Sequence, residues 1–398
     1  VLELPLIGLS LSAPIFYFIA VRVYVAEGGV SADRNRHWYV FAFVFWTALV
    51  GSLIGNLLAG PAFVIDTADI AILVRFAYWL LVFVATAHLV ATIEEPRRIA
   101  LALALGVVAL GGVRLVEVVL FGNWGAWTGT RFMAQNEYGL QFSIFTPFAL
   151  ALPLVARGRA RWLSVPAIGL ICVAVAGNGS RSSWIALAVA VVGLIVLSAL
   201  SGNRRARRLW RPIALIALLA IAAPIFLPGR VVAPIVQRYE TFQRLDTDRS
   251  YQIRLLMLQK SMRLFEESPV FGAGIGRFHR TSVELDRPGI LGRSEGIYNR
   301  RSSHNSYAGL FGETGLIGTV PFALLLLTLL VGGGRASLRL ARAGESWALA
   351  AYVSLLTMSV HLIAISALTN TTVWFIYGMM AGVIGRSRLP VATAASEF

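Results

Sequence analysis

Apolar runs close to the length of a bilayer crossing recur along this chain, separated mostly by short polar links. They fall at roughly 4–25, 38–59, 69–93, 99–121, 137–156, 163–177, 184–200, 212–228, 306–331, 347–368 and 372–385. A helix needs about 20 apolar residues to cross the hydrocarbon core. Only helices and closed barrels satisfy their backbone groups there, and runs of this length are helical. With 57% apolar and 14% charged residues, there is too little polar surface for one large soluble core. The expected fold is an all-α integral membrane protein whose core lies between helices and against lipid.

The links sharpen this. Arg97 and Arg98 follow the third run, Arg157, Arg159 and Arg161 the fifth, and Arg204, Arg205, Arg207, Arg208 and Arg211 the seventh. Arg335, Arg339 and Arg342 follow the ninth, and Arg386 and Arg388 the last. Every second link is basic, so the positive-inside rule places these in the cytoplasm and the links at 60–68, 122–136, 178–183, 229–305 and 369–371 outside. Arg34 and Arg36 put the first link inside as well. One further helix upstream of Val1 would give a cytoplasmic N-terminus, for about 12 transmembrane helices in the full protein with about 11 visible here. The organisation is then N-terminal transmembrane helices over 1–228, a large outside loop over 229–305, and C-terminal transmembrane helices over 306–398.

The 229–305 region is too long for a simple connection. Its Arg content does not contradict the topology, because long loops translocate largely regardless of charge. Asp248 can cap a helix that runs through Arg254, Leu258 and Met262 and ends near Ser268-Pro269. The loop is therefore partly helical. A glycine-rich run, Gly272-Ala273-Gly274-Ile275-Gly276, follows.

Three places could carry chemistry. His304 lies where this Arg-rich stretch meets the ninth apolar run, and an imidazole at a water–lipid boundary can exchange a proton near neutral pH. Alone, it also reads as a helix-capping or interfacial histidine; His88 and His361, inside apolar runs, read as packing residues. If a helix starts near His304, then Tyr307, Ala308, Phe311 and Gly315 share its face, Gly315 allows another helix or a lipid chain to approach, and Glu313 points away. Second, Gly177-Asn178-Gly179-Ser180-Arg181-Ser182-Ser183-Trp184 enters a helix N-terminus with a full charge beside exposed N–H groups, which makes either a phosphate seat or a capped start with a snorkelling arginine. Third is Arg254, with Leu258 one turn on; alone it reads first as an arginine on an amphipathic helix. Arg300, Arg301 and Arg131 are secondary anion candidates.

The formal charge of +15 is almost all arginine, with Lys260 the lone lysine. That pattern suits phosphate recognition through a planar fork, and equally compositional bias with loop positives that orient the helices. Cys172 is the single cysteine, which excludes an internal disulfide and argues against a cysteine metal site. No βαβ unit surrounds the glycine run, so it is not a dinucleotide fingerprint. Asp246-Thr247-Asp248 reads as a cap rather than a paired-Asp metal motif. No His/Asp/Glu spacing suits a metal. A base beside an anion site at a membrane surface points to chemistry on a phosphate-bearing lipid.

These residues resemble the bacterial O-antigen ligase family, within the O-antigen ligase/polymerase superfamily. The resemblance rests on His304 and Gly315 in an H-x₁₀-G pattern, Arg254 and Leu258 in an R-x₃-L pattern, the Gly-Ser-Arg-Ser-Ser-Trp element around Arg181, and the Gly-Ala-Gly-Ile-Gly-Arg-Phe run. It implies a fold of the glycosyltransferase C type in the inner membrane of a Gram-negative bacterium, with the large loop and the active site facing the periplasm. It implies a metal-independent glycosyltransferase without a cofactor. The donor would be an undecaprenyl-pyrophosphate-linked glycan and the acceptor lipid A–core; nucleic acid has no part. By the same resemblance His304 would be catalytic, and Arg181 and Arg254 would bind pyrophosphate. An O-antigen polymerase or protein O-oligosaccharyltransferase of the superfamily, and more remotely a non-catalytic transporter of anionic lipid, are the alternatives.

Overall fold

The structure, a computed structural model, describes residues 32–60, 63–121, 135–155, 164–178, 180–202, 240, 248–278 and 302–388. The runs expected at 4–25 and 212–228, and the candidates Arg131, Arg300 and Arg301, lie outside the described residues. Within them the regular structure is helical: α1 (Ala32–Ala59), α2 (Thr67–Thr92), α3 (Arg97–Phe121), α4 (Gln135–Leu150), the single turn α5 (Leu152–Val155), α6 (Ser164–Gly177), α7 (Arg181–Leu200), α8 (Arg249–Glu267), α9 (Ser306–Arg342), α10 (Trp347–His361) and α11 (Thr371–Arg386). Six are long and apolar enough to cross a membrane: α1 from Arg36, α2, α3 to Glu117, Asn136–Val155, α7 and α9. The protein is an all-helical, multi-pass membrane protein among its described residues.

Two helix ends differ from the sequence expectation. The ninth apolar run was expected to stop at 331, before Gly332-Gly333-Gly334, yet α9 continues to Arg342. Tyr352 and Met380 pack where side chains on Gly334 and Gly333 would stand, so the glycines admit neighbours instead of ending the helix. Arg339 and Arg342 then hydrogen-bond the carbonyls of Ser387 and Leu200. Conversely, the run expected to reach 368 leaves the helix at His361.

The described residues fall into two units. Those of Val1–His88, Arg244–Thr328 and Leu362–Gly378 form unit one. Its core is aromatic: Trp374, fully buried, meets Phe45, Phe76, Phe83, Phe322 and Tyr377 at centroid distances of 5.7–6.5 Å. Most of these rings meet edge to face, the arrangement their quadrupoles favour. The indole N–H of Trp374 donates to Leu368 O at 2.7 Å, so the buried donor is satisfied.

Unit two comprises the described residues of Leu89–Gln243, Leu329–His361 and Met379–Phe398. Leu150, Ile168, Leu194, Leu349 and Val353 belong to its apolar core. Hydroxyl groups tie α4 to α10: Thr357 donates to Ser143 O at 2.6 Å, Ser354 to Ile144 O at 2.5 Å, and Ser143 Oγ lies 2.9 Å from His361 Nδ1. Because Ser143 also donates to Gly139 O at 2.7 Å, its one proton is spent, so His361 Nδ1 carries the proton of that contact. Lipid offers no hydrophobic drive for helices to associate, and interhelical hydroxyl bonds of this kind add to van der Waals packing there.

Candidate functional site

The start of α9 is built by side chains on either side of His304. Asn305 caps the helix, its Oδ1 accepting from the N–H groups of Tyr307 (3.0 Å) and Ala308 (3.1 Å). Ser303 donates to Asn305 O at 2.8 Å, so its 2.7 Å contact with Ser366 has Ser366 as donor. Ser306 bonds the 362–367 stretch three times: its N–H donates to Leu362 O, its hydroxyl donates to Ile365 O, and that hydroxyl accepts from Ala367 N, at 2.6–2.9 Å. These bonds explain why α10 cannot continue past His361: residues 362–367 pair with α9 instead.

His304 sits between these anchors, half-buried, at φ 49°. It is the one non-glycine residue with positive φ among the described residues. An L-residue there costs about 1–2 kcal/mol, and such outliers persist where the surroundings over-determine them. The helix starts at Ser306, so His304 precedes the helical face expected to carry it.

Eleven residues on, Gly315 breaks α9 with φ 54° and ψ −152°. The approach across it is neither a helix nor a lipid chain, as expected from the sequence, but the backbone that follows α8. A side chain on Gly315 would collide with Pro269 O and Val270, and one on Gly272 (φ 67°) with the Glu313 carbonyl. Across this contact Leu316 N donates to Pro269 O, Ile317 N to Val270 O, Ala273 N to Gly312 O and Gly274 N to Glu313 O, all at 2.8–3.1 Å. Backbone groups freed by the break are thus re-satisfied, as burial in a membrane protein demands. From α1, Ser52 donates to Phe271 O and Asn56 to Gly272 O.

Among the described residues Glu313 forms no ion pair with an arginine. Its carboxylate accepts from the N–H of Phe278 at 2.9 Å and from Gly276, which ties the glycine run to α9. Next to it Arg277 forms a buried two-point ion pair with Asp69 of α2, donates to Val64 O at 2.5 Å, and stacks 3.8 Å over the Phe63 ring. Such bidentate geometry repays desolvation better than a single contact.

These pieces enclose a cavity of about 360 Å³, wholly within unit one. α2 presents Ala68, Ala71, Ile72 and Arg75 to it, a stripe at helical spacing. Ser302 and Ser303, the residues preceding His304, line it too, as does Glu313.

Arg254 is half-buried on α8, in the same unit as His304. Asp248 caps that helix by accepting from Tyr251 N at 2.9 Å, and the helix ends at Ser268, as expected. Its buried side carries Ile253, Leu256, Met257 and Leu264. Phe265 stacks on Phe311 of α9 at 3.8 Å. Leu258, the apolar partner in the R-x₃-L pattern, is 37% exposed and outside that core. Arg181 is the first residue of α7, in unit two. It is buried, which sets aside the snorkelling reading, and Ser180 precedes it as N-cap with its hydroxyl 3.0 Å from Ser182 Oγ.

Sequence reasoning passed over Arg75, Asp69 and the burial of Lys260, and took Arg277 only as part of the Gly-Ala-Gly-Ile-Gly-Arg-Phe run. Arg75 had a signal: it is a charge well inside an apolar run, where an ionisable group is by default functional. The ion pair had none, because its partners are more than 200 residues apart.

A family model described as O-antigen ligase matches residues 166–323. No curated protein matches the chain. Arg181, Arg254, His304, Gly315 and the glycine run all fall inside the matched segment.

Proposed function

Since residues 166–323 belong to the O-antigen ligase family, we propose that the chain is an O-antigen ligase of the inner membrane, acting at the periplasmic face. The donor is a glycan on undecaprenyl pyrophosphate, and the acceptor is the lipid A–core oligosaccharide. A hydroxyl of the acceptor sugar attacks the donor's anomeric carbon and a new glycosidic C–O bond forms. The bond from that carbon to the pyrophosphate oxygen breaks, and undecaprenyl pyrophosphate leaves with the electron pair. His304 takes the hydroxyl proton as general base. Arg181 and Arg254 hold the pyrophosphate and stabilise its growing charge. Direct displacement inverts the anomeric centre.

The observation that carries this reading is His304 itself. It is held in a strained backbone state by bonds on both flanks and lies inside the family segment. A helix-capping histidine would have no need of that conformation, and the capping is done by Asn305.

The test is His304→Ala. Glycan transfer to lipid A–core should fall by about 100-fold or more, with lipid-linked glycan accumulating and the protein still inserted and melting as the wild type does. Near-normal transfer would remove the general-base role. On a lipopolysaccharide gel of a deletion strain, loss of all O-antigen supports the ligase; a single-repeat cap would instead mean a polymerase, and unchanged lipopolysaccharide with unglycosylated protein the protein-modifying enzyme.

A further inference from the structure

The cavity beside His304 has a chemistry of its own. At about 360 Å³ it falls in the range of small-ligand sites, roughly 300–1,000 Å³. Among the described lining residues the charged groups are Asp69, Arg75 and Glu313, and Asp69 forms a two-point pair with Arg277. One arginine among them is not the cluster of cations that draws a pyrophosphate. A lipid tail would be poorly served as well, because hydroxyl and charged groups share the wall with Ile72 and Leu310. A wall that mixes apolar side chains with fixed hydrogen-bonding groups suits a sugar ring, which carries C–H faces and hydroxyl edges.

The polar side is preorganised. Glu313 is held by the N–H groups of Phe278 and Gly276, and a carboxylate has lone pairs left to accept sugar hydroxyls. Ser303 and Ser306 are fixed by their bonds to the 365–367 stretch. Ala68 and Ala71, with small side chains, line it as well.

We propose that this cavity is a saccharide subsite that holds one pyranose ring against the Ser302–Ser303 segment preceding His304, with Arg75 and Glu313 hydrogen-bonding its hydroxyls. The inference rests on the glycosyl-transfer reading for its biological role, but binding can be measured without turnover. The ring comes either from the receiving core or from the transferred glycan.

Full-length protein in detergent is titrated with two free probes: core oligosaccharide, and O-antigen repeat released from its carrier by mild acid. Arg75→Gln and Ala71→Phe are compared with wild type, with melting temperature as the folding control. Arg75→Gln removes the guanidinium without adding bulk, so it reports even if Ala71→Phe misfolds. Both variants should weaken one probe by about tenfold or more, as loss of a charged hydrogen bond does. Weakening of the core probe assigns the ring to the acceptor; weakening of the repeat assigns it to the donor. Unchanged affinity for both probes in the folded variants, or no binding of either by wild type, overturns the proposal. Loss of transfer in His304→Ala is scored separately, so the subsite stands or falls apart from the catalytic reading.

Discussion

At Gly315 a single missing side chain decides the local structure. Its φ of 54° with ψ of −152° lies in a region close to glycine-only, and a β-carbon would strike Pro269 O and Val270. Gly315→Ala should therefore lose about 2 kcal/mol or more, read as a lower melting temperature in detergent. Gly169→Ala is the matched control: nothing lies within 4 Å of its added carbon, and helix propensity favours the change by about 1 kcal/mol. Equal melting of the two variants would mean that the Pro269–Gly274 contact contributes little. The H-x₁₀-G spacing was legible in the sequence, but its meaning was not. The residue that approaches Gly315 comes from a loop more than 40 positions earlier, and the left-handed backbone of His304 is imposed by Ser303, Asn305 and Ser366 rather than by any local preference.

Among elements, α2 is the one whose role was least visible. Hydropathy reads it as a plain membrane span, yet it contributes Asp69 to a buried ion pair and Arg75 to the cavity wall. Asp69→Asn leaves the Arg277 guanidinium buried without its carboxylate, a loss of about 3–5 kcal/mol. The double variant Asp69→Asn/Arg277→Gln should recover part of that stability, because the coupling between the two is then removed. Additive losses in chemical or thermal unfolding would show that the two side chains act independently. Helix existence was legible throughout, from run length alone. Helix ends were not where packing overrode the local signal: Gly332–Gly334 stay helical because Tyr352 and Met380 fill the space beside two of them, and α10 stops at His361 because Ser306 recruits the backbone beyond it.

For the molecule as a whole, the alternation of basic links is the strongest statement the chain makes about orientation. Cys172 is the only thiol, so a Cys172→Ser background permits a direct test. A membrane-impermeant maleimide should label Asp286→Cys on intact spheroplasts, and should label Arg98→Cys, beside the exposed Glu95–Arg98 pair, only after lysis. The reverse pattern would invert the proposed topology and remove the periplasmic site. Each unit draws on three separated stretches of chain, an arrangement that no local pattern encodes, so the units became visible only in the fold. The interruption of α9 belongs at this scale too. In carriers that move ions, interrupted helices leave their half-helix N-termini open toward an anionic group. Here two of the first N–H groups after the interruption, those of Leu316 and Ile317, are already occupied by Pro269 O and Val270 O. The interruption is a weld and not a socket: it splices loop to helix with those two N–H dipoles quenched.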